Sequence, residues 1–241
     1  MEGIQENYQL QLDRLPDEIF LFVLQFCHED GVENTRAYQS KEVQQCTATT
    51  CITQAVENQH LGNMNWIKER KANQFVWNKD TFNTAASKGN IDVIEWLKRY
   101  GCPWNKYTFT NAARNGDVEN MILLKKHGCP WNKDTFRAAS RNGNLKNMMW
   151  LKKYGCPWDA DTFTAAAAYG NIENMMWLKK NGCPWNRDTF KCAARNGNLK
   201  NMMWLEENGC YWDVNTFTST AAYSHLATMV WLKKKGCPWI G

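Results

Sequence analysis

The sequence has few of the residue patterns on which catalysis and metal binding depend. Histidine is scarce, and the four that occur, His28, His60, His127 and His225, are scattered. The chain has no CxxC pair, no histidine at metal-ligand spacing, no phosphate-binding glycine loop and no nucleophile signature. These absences argue against a zinc protein and against an enzyme, so we predict no catalytic residue, no metal and no cofactor.

A long apolar segment is also missing. The longest apolar stretch near the start of the chain, residues 19–26, contains Gln25 and follows two acidic residues. It is too short to span a membrane and has the wrong flanks for a secretion signal. The composition, with 44% apolar and 22% charged residues, is that of an ordinary globular protein. We therefore expect a soluble, cytoplasmic protein with no membrane partner.

Tryptophan, by contrast, is abundant and regularly spaced, with 13 residues in a chain of 241. One set recurs at a single constant interval without any drift: Trp77, Trp104, Trp131, Trp158, Trp185, Trp212 and Trp239. A second set has the same period, with Leu123 at its one missing position: Trp96, Trp150, Trp177, Trp204 and Trp231. A fixed internal period of this length is the signature of a repeat array.

Each repeat is predicted to contain two helices. In the unit that ends at Trp158, the first helix is predicted to begin near Asp134 and Thr135, polar residues suited to a cap, and to end at Gly143. The second is predicted over residues 144–153, because its apolar residues follow helical spacing and two lysines complement the negative end of its dipole.

A divergent unit precedes the regular array. Residues 51–68 align with residues 135–152, which lie three periods further along the chain once an insertion of three residues is allowed for. Counting this unit gives seven helix pairs. The last pair has Ser224 and His225 where other repeats have glycine and asparagine, as is usual for the terminal unit of an array.

The repeated pattern TFxxAAxxGN(L/I)xxMxWLKxxG, which occurs five times between residues 81 and 209, resembles the ankyrin-repeat core TPLHxAAxxGHxxVVxxLLxxGA. The segment GCPWNKD that follows it is several residues shorter than an ankyrin repeat of about 33 residues provides. The resemblance implies an all-α, ankyrin-like solenoid of about seven stacked helix pairs, with tight turns in place of the projecting hairpins. The short GCPW repeats are similar to those of large DNA viruses and some protists, which implies a location in the host cytoplasm or the virion.

The constant residues of the repeat are predicted to form its core. A large aromatic side chain removes about 150 to 250 Å² from water when it is buried. Neighbouring packed helices lie about 8 to 10 Å apart, beyond the Cα separation of about 7 Å that a disulfide allows. The cysteines that recur once per unit are therefore predicted to be reduced, small, buried side chains.

A repeated asparagine in the second helix has two interpretations. It occurs as Asn120, Asn147, Asn174 and Asn201. A buried amide needs hydrogen-bond partners, which predicts a ladder of side-chain bonds between repeats. The alternative is that these side chains are partly exposed.

Binding is predicted where the repeats differ from one another. The ankyrin resemblance implies that the first helices line a concave face and that partners contact its variable residues. These include arginine and tyrosine, the residues that anchor many interfaces. The predicted partner-binding residues are Tyr107, Arg114, Arg137, Arg141, Tyr169, Lys191, Arg195 and Tyr223. The alternative is a solvated surface without a partner.

Charge is unevenly distributed along the chain. Residues 1–50 have a net charge of −6, which leaves +11 for residues 51–241. This favours an acidic protein partner. It argues less for nucleic acid, because many lysines lie at the ends of second helices, where the helix dipole alone explains them. The sequence therefore predicts against a nucleic-acid partner, and a steep salt dependence of binding would indicate one.

Residues 15–27, LPDEIFLFVLQFC, resemble the first helix of an F-box. The resemblance implies docking on a Skp-type adaptor of a cullin ubiquitin ligase through Leu15, Pro16, Ile19, Val23 and Phe26. The alternative is an amphipathic helix that caps the open end of the array. The predicted domains are an N-terminal segment, residues 1–50, and a repeat array, residues 51–241.

Together these features predict a non-enzymatic protein–protein interaction scaffold, with a substrate receptor for ubiquitin ligation as its specific form. Two alternatives stay open. One is a structural component of a larger assembly such as a virion, and the other, which ranks last, is a nucleic-acid-binding array.

Overall fold

The computed structural model describes residues 48–70, 77 and 80–238, and these form fourteen α-helices. In chain order they are α1 (Ala48–Glu57), α2 (Leu61–Arg70), α3 (Thr81–Lys88), α4 (Ile91–Arg99), α5 (Lys106–Asn115), α6 (Val118–Lys126), α7 (Lys133–Asn142), α8 (Leu145–Lys153), α9 (Ala160–Tyr169), α10 (Ile172–Lys180), α11 (Arg187–Arg195), α12 (Leu199–Glu207), α13 (Thr216–Ala221) and α14 (Leu226–Lys234). The helices follow one another as seven pairs, and no strand occurs among the described residues. The predicted all-α helical-repeat class with shortened connections is confirmed.

The described residues divide into two compact units, one within residues 48–85 with 92–103 and the other formed by residues 86–91 with 104–238. In the first unit, the hydroxyls of Thr53 and Thr81 lie 3.1 Å apart. The indole N–H of Trp96 donates to the side-chain oxygen of Asn65, and its ring packs edge-on against Trp77 at 6.1 Å. The divergent pair α1–α2 is thus joined to the following repeat by both polar and aromatic contacts.

The second unit is a stack of helix pairs in which the first helices α5, α7, α9, α11 and α13 pack side by side. Each of the first four buries a phenylalanine and two or more alanines, and α13 buries two threonines. The small side chains let neighbouring helices approach closely, and the phenylalanine fills the space between the layers of first and second helices. The core therefore runs along the stack and has much the same composition from α5 to α11.

Capping boxes fix where the first helices begin. In α7, the Asn132 side chain accepts a hydrogen bond from the Thr135 backbone N–H at 3.3 Å, and the Thr135 hydroxyl accepts one from the Asn132 N–H at 3.3 Å. These bonds satisfy donors that helix geometry leaves unpaired. The cap is therefore Asn132, and the interpretation of Asp134 as a capping residue is wrong. The equivalent caps of α5, α9 and α11 are Asn105, Asp159 and Asn186.

A glycine turn ends each of the second helices α8, α10 and α12. Gly155 has φ = 79°, a left-handed conformation that glycine adopts without a Cβ penalty. The next N–H, that of Cys156, donates to the carbonyl of Leu151 at 2.9 Å. The Cys156 thiol is buried and lies 3.5 Å from the carbonyl of Asn132. The Gly-Cys pair thus ends the second helix and ties it to the cap of the first.

The tryptophan that follows this turn joins one repeat to the next. Trp131 packs against Phe109 of its own repeat at 5.2 Å and against Trp150 of the next second helix at 6.0 Å. The Phe–Trp contact recurs at 5.1, 5.2 and 5.6 Å in the following repeats: Phe136–Trp158, Phe163–Trp185 and Phe190–Trp212. Edge-to-face pairs of this kind contribute about 0.5 to 1.5 kcal/mol beyond the area that they bury.

The paired methionines of the second helices do not share one environment. Met148, Met175 and Met202 are fully buried, as the core prediction requires. The residue that follows each of them, Met149, Met176 or Met203, is exposed. Successive residues of a helix point about 100° apart, so the stripe of methionines covers both a core face and a solvent face.

The repeated asparagines are buried, so partial exposure is ruled out for them. Two of them, Asn120 and Asn201, bond to the backbone of the preceding repeat, and no bond between two of these asparagines occurs in the described structure. The Asn120 amide donates to the Gly89 carbonyl at 2.6 Å, and the Asn201 amide donates to the Gly170 carbonyl at 3.2 Å and the Ala167 carbonyl at 2.9 Å. At Asn147 and Asn174, both amide atoms are buried without a hydrogen-bond partner in the described structure.

This difference predicts opposite results for one substitution made at two equivalent positions. Leucine has the branched shape of asparagine without its polar atoms. Asn201→Leu should lower the free energy of unfolding by about 1 to 3 kcal/mol, because it leaves the carbonyls of Ala167 and Gly170 unpaired. Asn147→Leu should be neutral or stabilising, because it removes polar atoms that are buried without partners. Urea unfolding followed by circular dichroism tests the pair, and an equal loss for both variants would contradict this account.

Candidate interaction groove

The side-by-side first helices of the second unit form an open groove with a volume of about 520 Å³. Four helices, α5, α7, α9 and α11, contribute its walls and floor. Its lining includes three aspartates, Asp134, Asp161 and Asp188, and five cationic residues, Arg114, Arg137, Arg141, Lys191 and Arg195. Small residues from neighbouring helices, Ala138, Ala165 and Ala168, lie between the charged ones.

Helical spacing places these residues in two rows. In α7, Asp134, Arg137 and Arg141 follow the spacing i, i+3 and i+7, so they lie on one face. The rise of 1.5 Å per residue puts the Cα atoms of the first and last about 10 Å apart along the helix. Aspartates in the first turns therefore form an acidic row on one side of the groove. The arginines in the last turns form a basic row on the other.

Six of the eight predicted partner-binding residues line this groove: Arg114, Arg137, Arg141, Tyr169, Lys191 and Arg195. Tyr107 and Tyr223 do not. Tyr107 is exposed next to the Lys106 ammonium, which lies 5.1 Å from its ring. The sequence interpretation missed the acidic row, because the recurrence of Asp134, Asp161 and Asp188 made them look like helix-start residues only. Whether the eight residues contact a partner stays a prediction.

From Phe109 to Phe190, the residue after the phenylalanine of each repeat alternates between a threonine and a cation. Thr110 and Thr164 turn toward the next first helix, where their hydroxyls lie 3.3 Å and 3.0 Å from those of Thr135 and Thr189. The intervening repeats have Arg137 and Lys191 at this position, and these line the groove. Over these four repeats, the groove therefore presents a charge at this position only in every second repeat.

The last turns of the first helices show the same alternation. The Arg141 guanidinium lies over the ring of Tyr169 at 4.1 Å, and the Arg195 guanidinium lies over the ring of Tyr223 at 5.3 Å. We call these the arginine–tyrosine pairs. In both, the arginine comes from one repeat and the tyrosine from the next. Arg114 occupies the same register one repeat earlier and bonds instead to the Asn111 side chain at 2.8 Å.

The charges of the groove are only partly neutralised within the described structure. Arg137 forms ion pairs with Asp134 at 3.0 Å and with Asp161 at 3.9 Å. Arg141 and Arg195 have no carboxylate within 4.0 Å among the described residues, and both are exposed. These two guanidiniums retain donors in their planes, since stacking on a tyrosine uses only one face.

A different surface lies on the second helices. Large apolar residues are exposed there at one recurring position of the repeat: Ile122, Met149, Met176, Met203 and Val230. Lysines surround this stripe, and two of them, Lys125 and Lys152, place their ammonium groups 3.5 and 3.6 Å from the ring centres of Trp131 and Trp158. Helix-end lysines therefore interact with the aromatic contacts between repeats as well as with the helix dipole.

The F-box resemblance lies outside the described residues, since it rests on Leu15, Pro16, Ile19, Val23 and Phe26. Residues 1–47 of the predicted N-terminal segment lie outside them as well. Within the described ranges, no cluster of three or more histidines, cysteines or acidic residues is arranged to hold a metal ion. None of the helices in those ranges is long and apolar enough to cross a membrane.

The described helix pairs and their packing are those of a helical-repeat protein. No family model and no curated protein matches the sequence. Among solved structures, the chain is similar to the pentatricopeptide repeat protein PPR10 in complex with an 18-nt psaJ RNA element, with 14% identity and a TM-score of 0.47. A variant of PPR10 with three cysteines replaced by serine, also in complex with the 18-nt RNA, gives the same values. Both matches cover 93% of this chain and 37% of the other chain.

The prediction against a nucleic-acid partner is wrong. Both PPR10 structures show a helical-repeat protein in complex with RNA, so an array of helix pairs gives no ground for setting RNA aside. The sequence argument also rested on lysines of the second helices, which lie outside the groove. RNA binding is a property of PPR10, however, and at 14% identity the likeness concerns the fold alone.

Alkylation of the cysteines can measure whether the groove is occupied. Burial raises the pKa of Cys102, Cys156 and Cys183 to about 12. Because the thiolate is the reactive form, these thiols should resist alkylation at neutral pH and react faster as the pH rises. Burial also raises the pKa of Cys192, but this residue is only half-buried and lines the groove. Brief iodoacetamide treatment followed by peptide mass spectrometry should modify Cys192 before the other three.

A bound partner should slow this reaction at Cys192 and leave the other three sites unchanged. Equal labelling of Cys156 and Cys192 in the free protein would contradict the burial described here.

Proposed function

We propose that the chain is a non-catalytic interaction scaffold that binds an extended segment of another protein in the groove of the first helices. The observation that supports this proposal most directly is the position of the residues that vary between repeats. Four different repeats contribute such residues to one open groove: Arg114, Arg137, Arg141, Tyr169, Lys191 and Arg195. The phenylalanine, alanine and cysteine that are constant between these repeats are in the core.

The charge pattern of the groove fits a polypeptide. Three carboxylates, Asp134, Asp161 and Asp188, run along the same groove as the five cations. A polypeptide can present both signs of charge to two such rows.

The sequence supports two more specific forms of this function. In the first, the F-box-like residues 15–27 would recruit a Skp-type adaptor, which would make the scaffold a substrate receptor for a cullin ubiquitin ligase. In the second, the chain would be a component of a larger assembly such as a virion. A receptor should behave as a monomer that captures the adaptor through residues 1–50, whereas an assembly component should self-associate.

Charge reversal within the groove should weaken capture of the protein partner. We expect Arg137→Glu combined with Lys191→Glu to lower partner affinity at least about tenfold, equivalent to about 1.4 kcal/mol. The measurement is capture from a cell extract by the immobilised chain, with the bound proteins quantified by mass spectrometry. The extract is divided so that one portion is treated with nuclease before the capture.

The matched control is Lys146→Glu combined with Lys200→Glu. It makes a charge change of the same sign and size at two exposed positions of the second helices, which are also two repeats apart. This variant should capture the partner normally. The proposal is wrong if both double variants lose capture equally, or if nuclease removes the captured material. A third arm without residues 1–50 should lose the adaptor alone if the receptor form is correct.

A further inference from the structure

Two arginines that line the groove, Arg141 and Arg195, belong to a repeated recognition unit whose period is two repeats, and this period constrains what binds there. Its members are the arginine–tyrosine pairs Arg141–Tyr169 and Arg195–Tyr223. We infer that the two pairs bind two carboxylates, six residues apart, in one extended polypeptide. This inference rests on the proposed function, since it specifies which protein segments fit the groove.

Each pair has the properties of a carboxylate-binding site. The tyrosine rings are 46% exposed in Tyr169 and 55% exposed in Tyr223, and the arginines over them at 4.1 and 5.3 Å are exposed as well. Stacking orders the guanidinium, so fewer rotamers are lost when it binds. Its in-plane N–H groups match the two oxygens of a carboxylate.

The distance between the pairs follows from the stacking of the repeats. Neighbouring packed helices lie about 8 to 10 Å apart, so two repeats along the stack separate Arg141 from Arg195 by about 16 to 20 Å. An extended chain rises about 3.3 Å per residue, so five or six residues span this distance. Successive side chains of an extended chain point to opposite sides, and only the even number, six, returns to the same side.

The width of the groove favours an extended chain over a helix. The backbone positions of the acidic and basic rows are about 10 Å apart, and their side chains occupy part of that width. An α-helix with its side chains is about 10 to 12 Å across, whereas an extended strand occupies about 5 Å. The ligand is therefore a strand-like segment.

The opposite edge of that strand faces Asp134, Asp161 and Asp188. Of these, Asp134 and Asp161 are already paired with Arg137, and no ion pair to Asp188 occurs among the described residues. Side chains on this edge of the ligand are therefore neutral or basic. The preferred segment alternates between acidic residues on one edge and uncharged or basic residues on the other.

The test is selection from random peptides of about 12 residues, long enough at about 3.3 to 3.6 Å per residue to cover both pairs. The peptides are displayed on phage and selected on the intact chain. We expect enrichment of peptides with Asp or Glu at positions i and i+6. Synthetic peptides with this spacing should bind about tenfold more tightly than peptides of the same composition whose two acidic residues are spaced i and i+3 or i and i+11. Binding is measured by fluorescence anisotropy. The i+11 peptide tests a helical ligand, because eleven residues of a helix cover the same distance.

Variants of the chain separate this inference from the proposed function. Arg141→Gln with Arg195→Gln should remove the preference for six-residue spacing. Lys146→Gln with Lys200→Gln, which removes two positive charges from the second helices, should keep it. If peptides bind in the groove and are lost with Arg137→Glu and Lys191→Glu but show no spacing preference, the inference is wrong and the proposed function stands. If no peptide is selected, or if an oligonucleotide occupies the groove instead, both are wrong.

Discussion

The contact of one tryptophan with the aromatic residues on either side of it determines how consecutive repeats stack. In the second unit, four tryptophans that follow a Gly-Cys-Pro or Gly-Cys-Tyr turn pack against the phenylalanine of their own repeat: Trp131, Trp158, Trp185 and Trp212. At three junctions this tryptophan also meets the tryptophan of the next second helix at 6.0 to 6.1 Å. Because the Phe–Trp contact recurs once in each of these repeats, each first helix is placed in the same way against its neighbour. The groove is a consequence of that regular placement.

A regular frame allows residues to vary on the solvent side of the first helices. The alternation of threonine with arginine or lysine shows this clearly. All four residues line the groove, but Thr110 and Thr164 bond to the capping threonine of the next repeat, whereas Arg137 and Lys191 present a charge there. Neither choice alters the aromatic contact or the capping box. Charge and aromatic side chains can therefore be distributed along the groove without loss of the packing that holds it in place.

The sequence predicted the helix pairs and their boundaries well, because tryptophan, glycine and the capping residues recur at a fixed period. It predicted the variable surface in part: six of eight chosen residues line the groove, while Tyr107 and Tyr223 do not. Constancy was a poor guide in two cases. Asp134 and its equivalents recur, yet they line the groove, and Met149 and its equivalents recur, yet they are exposed. Periodicity identifies a position in the repeat, but burial depends on the helix face on which it lies.

The central claim is that a protein partner contacts the groove and not the second helices, and site-specific photo-crosslinking tests it directly. A benzophenone amino acid is placed at Thr164, which lines the groove, or at Met176, which is exposed on α10. After irradiation in a cell extract, protein adducts should form from position 164 only, and they should resist nuclease. Adducts from position 176 alone, or nucleic-acid adducts from position 164, would contradict the account.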